Sequence, residues 1–244
     1  MEKKEIVLGR NPVLEYIKEL SNPAGARLLI TKNAHGKIIN TIIEESKRKG
    51  LEIEYCNKGY LARFESSSRH QGVVLLIPPK IDNISDQEFL KKIHNQNGIL
   101  LLLDQLTDPR NIGSIIRTAE ALGGDGIVIP KARTAEINTT VIKASSGATA
   151  HIRILIVSNV ANFLESAKKI GFWIIGTGEE GDNDLTKIKE LKPALIIIGN
   201  EGSGMRRLTK EHCDIIVKIP LKGRISSLNA SVAAGIILYE ALKS

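Results

Sequence analysis

Three loops hold most of the side chains whose type and spacing could do chemistry in this 244-residue sequence. The first runs Asp104-Gln105-Leu106-Thr107-Asp108-Pro109-Arg110-Asn111-Ile112-Gly113 and leads into a segment bearing Arg117. Asp108 or Asn111 suits the N-cap of a helix. Arg117, set among Ile115, Ile116 and Ala119, is either an exposed solubilising residue or a guanidinium offered to a ligand. The second loop, Gly199-Asn200-Glu201-Gly202-Ser203-Gly204-Met205, has three glycines in six residues. Such a loop lets backbone approach a ligand closely and expose its N–H groups. Glu201 within it would repel a phosphate, so a neutral or cationic ligand fits better. The third runs from Ile219-Pro220 to Ser226-Ser227-Leu228-Asn229-Ala230-Ser231. Ser226 or Ser227 can cap the helix that follows, but the remaining hydroxyl and amide groups exceed what a cap needs and suit a ribose or a substrate hydroxyl.

A fourth cluster, Gly176-Thr177-Gly178-Glu179-Glu180-Gly181, has the form of a dinucleotide fingerprint. That fingerprint needs a helix beginning inside the loop, whose N-terminus meets the pyrophosphate. The acidic, polar stretch GDNDLTKIKELKP follows instead, so a nicotinamide or flavin site is set aside.

The elements that must position these loops are legible as apolar runs. GILLLLD, DGIVIP, HIRILIV, FWIIG, ALIIIG and DIIVKIP read as strands covered on both faces, with helical stretches near 112–122, 138–145, 158–170, 205–212 and 228–242 between them. Alternation of this kind predicts a parallel, helix-flanked sheet, in which ligands gather beyond the carboxyl ends of strands. Each of the loops leaves such a run. Ahead of them, residues 26–77 read as a smaller α/β unit: strand ARLLIT, a helix near 36–49, strand LEIEY, a short helix near 58–64 and GVVLLIP. Pro78-Pro79 and KIDNISDQ mark its end. The expected organisation is a domain over 1–80, a linker over 81–97 and a second domain over 98–244.

Net charge is +7 and the pI about 9.3, which favours a polyanionic partner. Residues 1–80 carry 14 Lys/Arg against 9 Asp/Glu and residues 81–244 carry 20 against 18, so the partner-facing charge sits in the front third. Tyr16, Tyr55, Tyr60 and Phe64 read mainly as core, leaving charge rather than stacking to hold a nucleic acid. Cys56 and Cys213 are too few for a disulfide framework and are not spaced as zinc ligands; ordinary thiols in a reducing compartment are expected. There is no apolar leader and no run approaching about 18 apolar residues, so a cytoplasmic protein without membrane contact is expected.

Taken together, and in order and spacing, the three loops resemble the motifs of the SpoU/TrmH class of RNA 2′-O-ribose methyltransferases. The resemblance covers residues 98–244 and extends to Val128-Ile129-Pro130-Lys131, to Asn138 through Ala148 and to Arg206-Arg207-Leu208-Thr209. In length and two-part layout the chain is similar to the branch that methylates a guanosine of 23S ribosomal RNA. The resemblance implies an α/β fold: a C-terminal SPOUT domain, a parallel sheet with a deep trefoil knot, preceded by a small ribosomal-protein-like RNA-binding domain. Periodicity does not reveal that knot, which the rule against threaded loops would reject. It implies S-adenosylmethionine as co-substrate against Gly199, Asn200, Gly202, Ile219 and Leu228, and no metal. Asn111, Arg117, Glu201, Ser227 and Asn229 correspond to the catalytic and substrate-binding set, and Arg69, His70, Gln71 and Arg110 to RNA contacts. One departure is Ala230, where many members carry valine; it removes volume beside the site. A homodimer packed partly through the last helix is also implied.

A ribose 2′-hydroxyl is a poor nucleophile, whereas a sulfonium methyl is already activated, so such an enzyme must mainly align the two and ease a proton away. Guanidinium keeps its proton in proteins; Arg117 is therefore expected to stabilise the developing alkoxide and grip the adjacent phosphate. Asn111 and Asn229 would orient the ribose, Ser227 would hydrogen-bond near the cofactor or nucleotide, and Glu201 would hold Arg117 or the sulfonium side. Transfer RNA is the alternative substrate. A non-catalytic RNA-binding or ribosome-assembly protein is the reading from another class, and it would bind RNA without affinity for a methyl donor.

Overall fold

The computed structural model describes residues 5–64, 70–78, 84–181, 184–200, 202–224 and 227–243. They fall into two compact units, Met1–Asp82 with Ile137–His151, and Asn83–Glu136 with Ile152–Ser244.

The first unit is built on a four-stranded sheet of β1 (Glu5–Leu8), β4 (Val73–Ile77), β2 (Arg27–Thr31) and β3 (Glu52–Cys56), in that spatial order. β4 runs antiparallel to β1 and β2, and β3 parallel to β2. Alternation along β2 explains its two faces. Leu28 and Ile30 join a core with Val13, Ile17, Ile39 and Ile42 from helices α1 (Arg10–Glu19) and α2 (Lys37–Lys49). Leu29 instead packs on the other face with Cys56, Val74 and Leu61 of the short helix α3 (Lys58–Leu61). β1 and α1 are absent from the sequence reading. Tyr55 also departs from it, lying 53% exposed on edge strand β3 rather than in the core.

The stretch 138–145, expected as a helix of the second domain, forms α6 (Thr139–Ala144) and belongs to the first unit. Ile142 is buried in that unit's core. Tyr16 Oη donates to Thr149 Oγ1 at 3.0 Å, and His151 Nε2 lies 2.9 Å from Glu15 Oε2. Ile142 thus joins a core with residues such as Val13 and Ile17, more than 100 positions upstream, which local periodicity cannot foresee.

The second unit carries a six-stranded sheet in the order β10 (Ile215–Val217), β8 (Trp173–Thr177), β9 (Ala194–Ile198), β5 (Ile99–Leu103), β6 (Gly126–Pro130) and β7 (Arg153–Val157). Every pair is parallel, as the apolar runs predict. All five residues of β5 and of β9 are buried. Each such leucine or isoleucine contributes about 1.5–3 kcal/mol relative to remaining exposed. From β5 the chain proceeds through β6 to β7 on one side, then crosses to β8 and β9 on the other. The order reverses between β5 and β9.

Helices flank this sheet. α5 (Pro109–Leu122) starts with Asp108, whose side chain accepts from Arg110 N–H, has proline in its first turn and stops at Gly123 in the left-handed region. α7 (Val160–Ile170) is capped by Asn159, and α8 (Arg207–Glu211) is one short turn. α9 (Ala230–Leu242) packs against α5. Its N-cap is Asn229, accepting from Ser231 N–H, rather than Ser227; Ser226 lies outside the described residues. Within the expected linker lies α4 (Asp86–Asn95), which begins with a full Ser85/Glu88 capping box and buries Phe89, Leu90 and Ile93.

Candidate active site

Gly199 follows β9 and starts a tight loop. A Cβ there would stand 2.6 Å from both Gly204 C and Met205 N, so no larger residue lets the chain fold back on itself. The return is pinned by Asn200 N–H to Gly204 O at 3.1 Å and Gly204 N–H to Asn200 O at 2.9 Å. Asn200 Oδ1 further accepts from Gly202 N–H at 2.9 Å. Glu201, assigned to the catalytic set, lies outside the described residues.

This loop forms one wall of a cavity of about 820 Å³ beyond the carboxyl ends of β8, β9 and β10. Gly199, Asn200, Gly202, Ile219, Ser227 and Leu228 all line it, so the five residues assigned to the cofactor converge from two loops 15 or more positions apart. Ala230 lines it too. The volume falls within the roughly 300–1,000 Å³ of small-molecule sites.

A further wall comes from Thr177, Gly178, Glu179 and Glu180, the glycine cluster set aside as a dinucleotide fingerprint. No α-helix opens within residues 176–181; a 3-10 helix, Leu185–Glu190, comes later. Its position after a parallel strand was the usable signal. Thr177 Oγ1 donates to Ile197 O at 2.8 Å, tying this loop to β9. Glu180 pairs with Lys210 across the cavity lining. The hydrogen bond from Lys210 holds the Glu180 carboxyl below the usual carboxylate range. The lining is mixed in charge, with Glu179, Glu180, Lys210, Lys218 and Arg224 among glycines and the apolar Ile219 and Leu228, which suits a ligand with charged groups of both signs on an uncharged body. Cys213 is an ordinary thiol, half-buried, with its pKa pushed up to about 11 by burial first and by Asp214 next. Among the described residues no group of three or more His, Cys, Asp or Glu could hold a metal ion.

Asn229 and Asn111 are brought together at the starts of α9 and α5: Asn229 Nδ2 donates to Asn111 Oδ1 at 3.0 Å. Asn229 Oδ1 meanwhile accepts from Ser231 N–H at 3.0 Å and Ser231 Oγ at 2.6 Å. Of the two paired amides, Asn229 lies next in sequence to cavity residues Ser227 and Leu228. Arg117 is exposed on α5 and does not line the cavity; Arg110 is exposed in the first turn of the same helix. The structure therefore gathers the donor-side residues around one cavity and pairs the two asparagines next to it, while Asn111, Asn229 and Arg117 do not themselves line it.

In the first unit, a smaller cavity of about 510 Å³ is lined by Arg10, Thr31, Asn33, Lys58, His70 and Gln71. His70 is buried and its Nδ1 accepts from Gly72 N–H at 3.0 Å, so it holds the turn. Gln71 takes a left-handed φ of 51°, and Arg10 fastens it through N–H to Gln71 Oε1 and Nε–H to Gln71 O, both 3.1 Å. Arg69 lies outside the described residues. Arg10 and Lys58 are absent from the sequence reading; each stands alone in its segment, with no motif around it.

Comparison with known proteins identifies the family. Residues 98–239 match the SpoU rRNA Methylase family, and residues 6–82 match the RNA 2′-O ribose methyltransferase substrate binding family. The chain is 39% identical over 240 residues to YacO of Bacillus subtilis, a protein named for the TrmH family of tRNA/rRNA methyltransferases, covering 98% of this chain and 95% of that one. The SpoU methyltransferase AviRb from Streptomyces viridochromogenes, solved in complex with the cofactor AdoMet, superposes with a TM-score of 0.77 at 27% identity, over 98% of this chain and 89% of that one. A TrmH/SpoU tRNA modifying enzyme of A. aeolicus superposes with a TM-score of 0.54 at 28% identity, over 64% of this chain and 80% of its own. By its matched family model and its relatives, the chain belongs to the SpoU family of RNA methyltransferases.

Proposed function

We propose that this protein transfers the methyl group of S-adenosylmethionine to a ribose 2′-hydroxyl of ribosomal RNA, with a guanosine of 23S RNA as the acceptor. The observation that carries the reading is the convergence of Gly199, Asn200, Gly202, Ile219 and Leu228 on one cavity beside the Asn111–Asn229 pair. When bound, the donor supplies an activated methyl on a sulfonium. The chain's own residues do the rest. Backbone of the glycine loop after β9 and the side chains of Ile219 and Leu228 hold the donor's body, with Glu179 left as the lining carboxylate that Lys210 does not pair. Asn111 and Asn229 orient the ribose, and Ser227 hydrogen-bonds at the boundary between the two ligands. Glu201 holds Arg117 or the sulfonium side. Arg117 grips the phosphate next to the reacting sugar and stabilises oxygen as its proton leaves to phosphate or water.

Since Arg117 lies outside the cavity of a single chain, RNA or a second copy completes the site. A homodimer fits the α9 surface, where Val232, Ile236 and Tyr239 stand at i, i+4 and i+7 and are 51, 37 and 59% exposed. The trefoil knot belongs to the same proposal: β10 lies outside β8 at the sheet edge, yet α9 returns to pack on α5 near its centre. RNA contacts come from the Arg10, Lys58 and Gln71 cavity of the first unit, and from Arg69 and Arg110. No described helix is long and apolar enough to cross a membrane, and a cytoplasmic location is proposed. Transfer RNA is the second reading, favoured by the tRNA modifying neighbour; the match of that neighbour to only 64% of this chain favours ribosomal RNA instead.

Methyl transfer from labelled donor to purified 23S RNA and to bulk transfer RNA, followed by mapping of alkali-resistant positions, tests the proposal. Label in 23S RNA at a 2′-O-methyl nucleotide is expected; label confined to transfer RNA, or on a base, contradicts it. Arg117→Ala and Arg117→Lys are each expected to lose more than about tenfold in kcat, the scale of one transition-state hydrogen-bonding group.

A further inference from the structure

We propose that Asp104, which touches neither ligand cavity, is the positioning residue that sets the donor loop against the helix carrying Asn111. The inference rests on the reading of the larger cavity as the donor site.

Asp104 follows the five apolar residues of β5 and is itself fully buried. A carboxylate in that place is costly unless both oxygens are met by donors and a counter-charge. One residue on a distant segment meets both. Arg206 N–H donates to Asp104 Oδ2 at 3.0 Å, Arg206 Nε–H donates to Oδ1 at 2.8 Å, and Arg206 Nη2 lies 2.6 Å from Oδ1. Arg206 stands immediately after the loop of Gly199 through Met205. The entry to the loop is held by the same stretch: Asp104 N–H donates to Ile198 O at 2.8 Å. Its interior is held by the next residue, Gln105, whose carbonyl accepts from Asn200 Nδ2 at 3.2 Å. Gln105 takes a left-handed φ of 63°, a conformation rare for residues other than glycine.

Asp104-Gln105 therefore grips the donor loop before, within and after its glycines. Three residues later the same segment becomes Asp108, the cap of α5, which presents Asn111. Donor loop and ribose-orienting helix are thus registered through one buried ion pair. Neither Asp104 nor Arg206 lines the cavity, so their influence on the ligand runs through backbone that does. Because the acceptor must meet the methyl in line, an error in this register reduces turnover as well as donor affinity.

The test is calorimetry with S-adenosylmethionine, together with steady-state kinetics, on Asp104→Asn and Arg206→Lys in the full chain, with circular dichroism to establish folding. Asp104→Asn keeps shape but loses the counter-charge; donor Kd is expected to rise at least about tenfold and kcat to fall, as for loss of charge-assisted hydrogen bonds. Arg206→Lys keeps its charge and main-chain N–H but loses the Nε bond, and is expected to lie between Asp104→Asn and the native protein. A residue that only stabilises the fold would lower the melting temperature of these variants while folded protein kept native Kd and kcat. Folded Asp104→Asn with both constants within about twofold of native overturns the proposal, since coupled contacts should show more. If Asp104→Asn does not fold, unchanged constants in Arg206→Lys overturn it equally. Native protein that binds no donor overturns the cavity reading and this inference together, which separates that failure from failure of the ion pair alone.

Discussion

The larger cavity is walled mainly by loops that leave the carboxyl ends of parallel strands, with residues of α8 and α9 completing it, whereas the smaller one takes single residues and short runs from several elements. Arg10 comes from the start of α1, Thr31 from the end of β2, Lys58 from the start of the short helix Lys58–Leu61, and Gln71 from the turn before β4. The contrast tracks the chemistry proposed for each. A donor of fixed shape needs backbone held within fractions of an ångström, and glycine loops with internal hydrogen bonds supply that. A polyanion is attracted by charge that tolerates looser placement, so single cations on a scaffold suffice.

That contrast can be broken at its strongest point by Gly199→Ala. The added methyl would stand 2.6 Å from Gly204 C, a backbone atom that cannot swing aside, so the loop must open. Donor affinity is expected to fall by more than about tenfold, the order of overpacking costs, while RNA affinity holds. Native donor affinity in this variant would mean that the loop is not the donor wall. Lys58→Ala probes the other cavity and should give the reverse pattern. Weaker RNA binding is expected, with the slope of log K against log salt shallower by about 0.7–0.9 for one lost phosphate contact and no change in donor affinity. A slope identical to that of the native protein would remove Lys58 from the RNA surface.

The smallest expected effect concerns acid. Lys210 keeps the Glu180 carboxyl below its ordinary range, so their pair contributes stability above that range and loses it as pH falls through the lowered value. Both side chains are partly exposed, and the contribution is small. Thermal melts between neutral and strongly acid pH should show native protein losing slightly more stability than Lys210→Ala; the opposite order would mean that the pair does not form in solution.

The same contrast explains what the sequence reveals. β5, β9 and β6 are legible because strands covered on both faces must be apolar throughout, and the three loops because glycine, serine and asparagine cluster directly after such runs. α4 carries a readable signal, Ser85 and Glu88 ahead of Phe89, Leu90 and Ile93, but Pro78-Pro79 and the polar run beside it direct attention to a linker. The Glu180 wall was hidden by its resemblance to a different motif. Arg10 and Lys58 could not be found from spacing at all, since β1 and β4, whose pairing shapes that unit, lie about 70 positions apart. Arg117 teaches the opposite lesson: its motif is plain in sequence, yet one chain does not bring it to the cavity.

Isothermal titration of the native protein with S-adenosylmethionine tests the central claim most directly. A saturable heat with one donor bound per chain is the predicted result. No detectable heat from either the donor or its demethylated product would contradict the account, leaving only an RNA-binding surface on the first unit to explain.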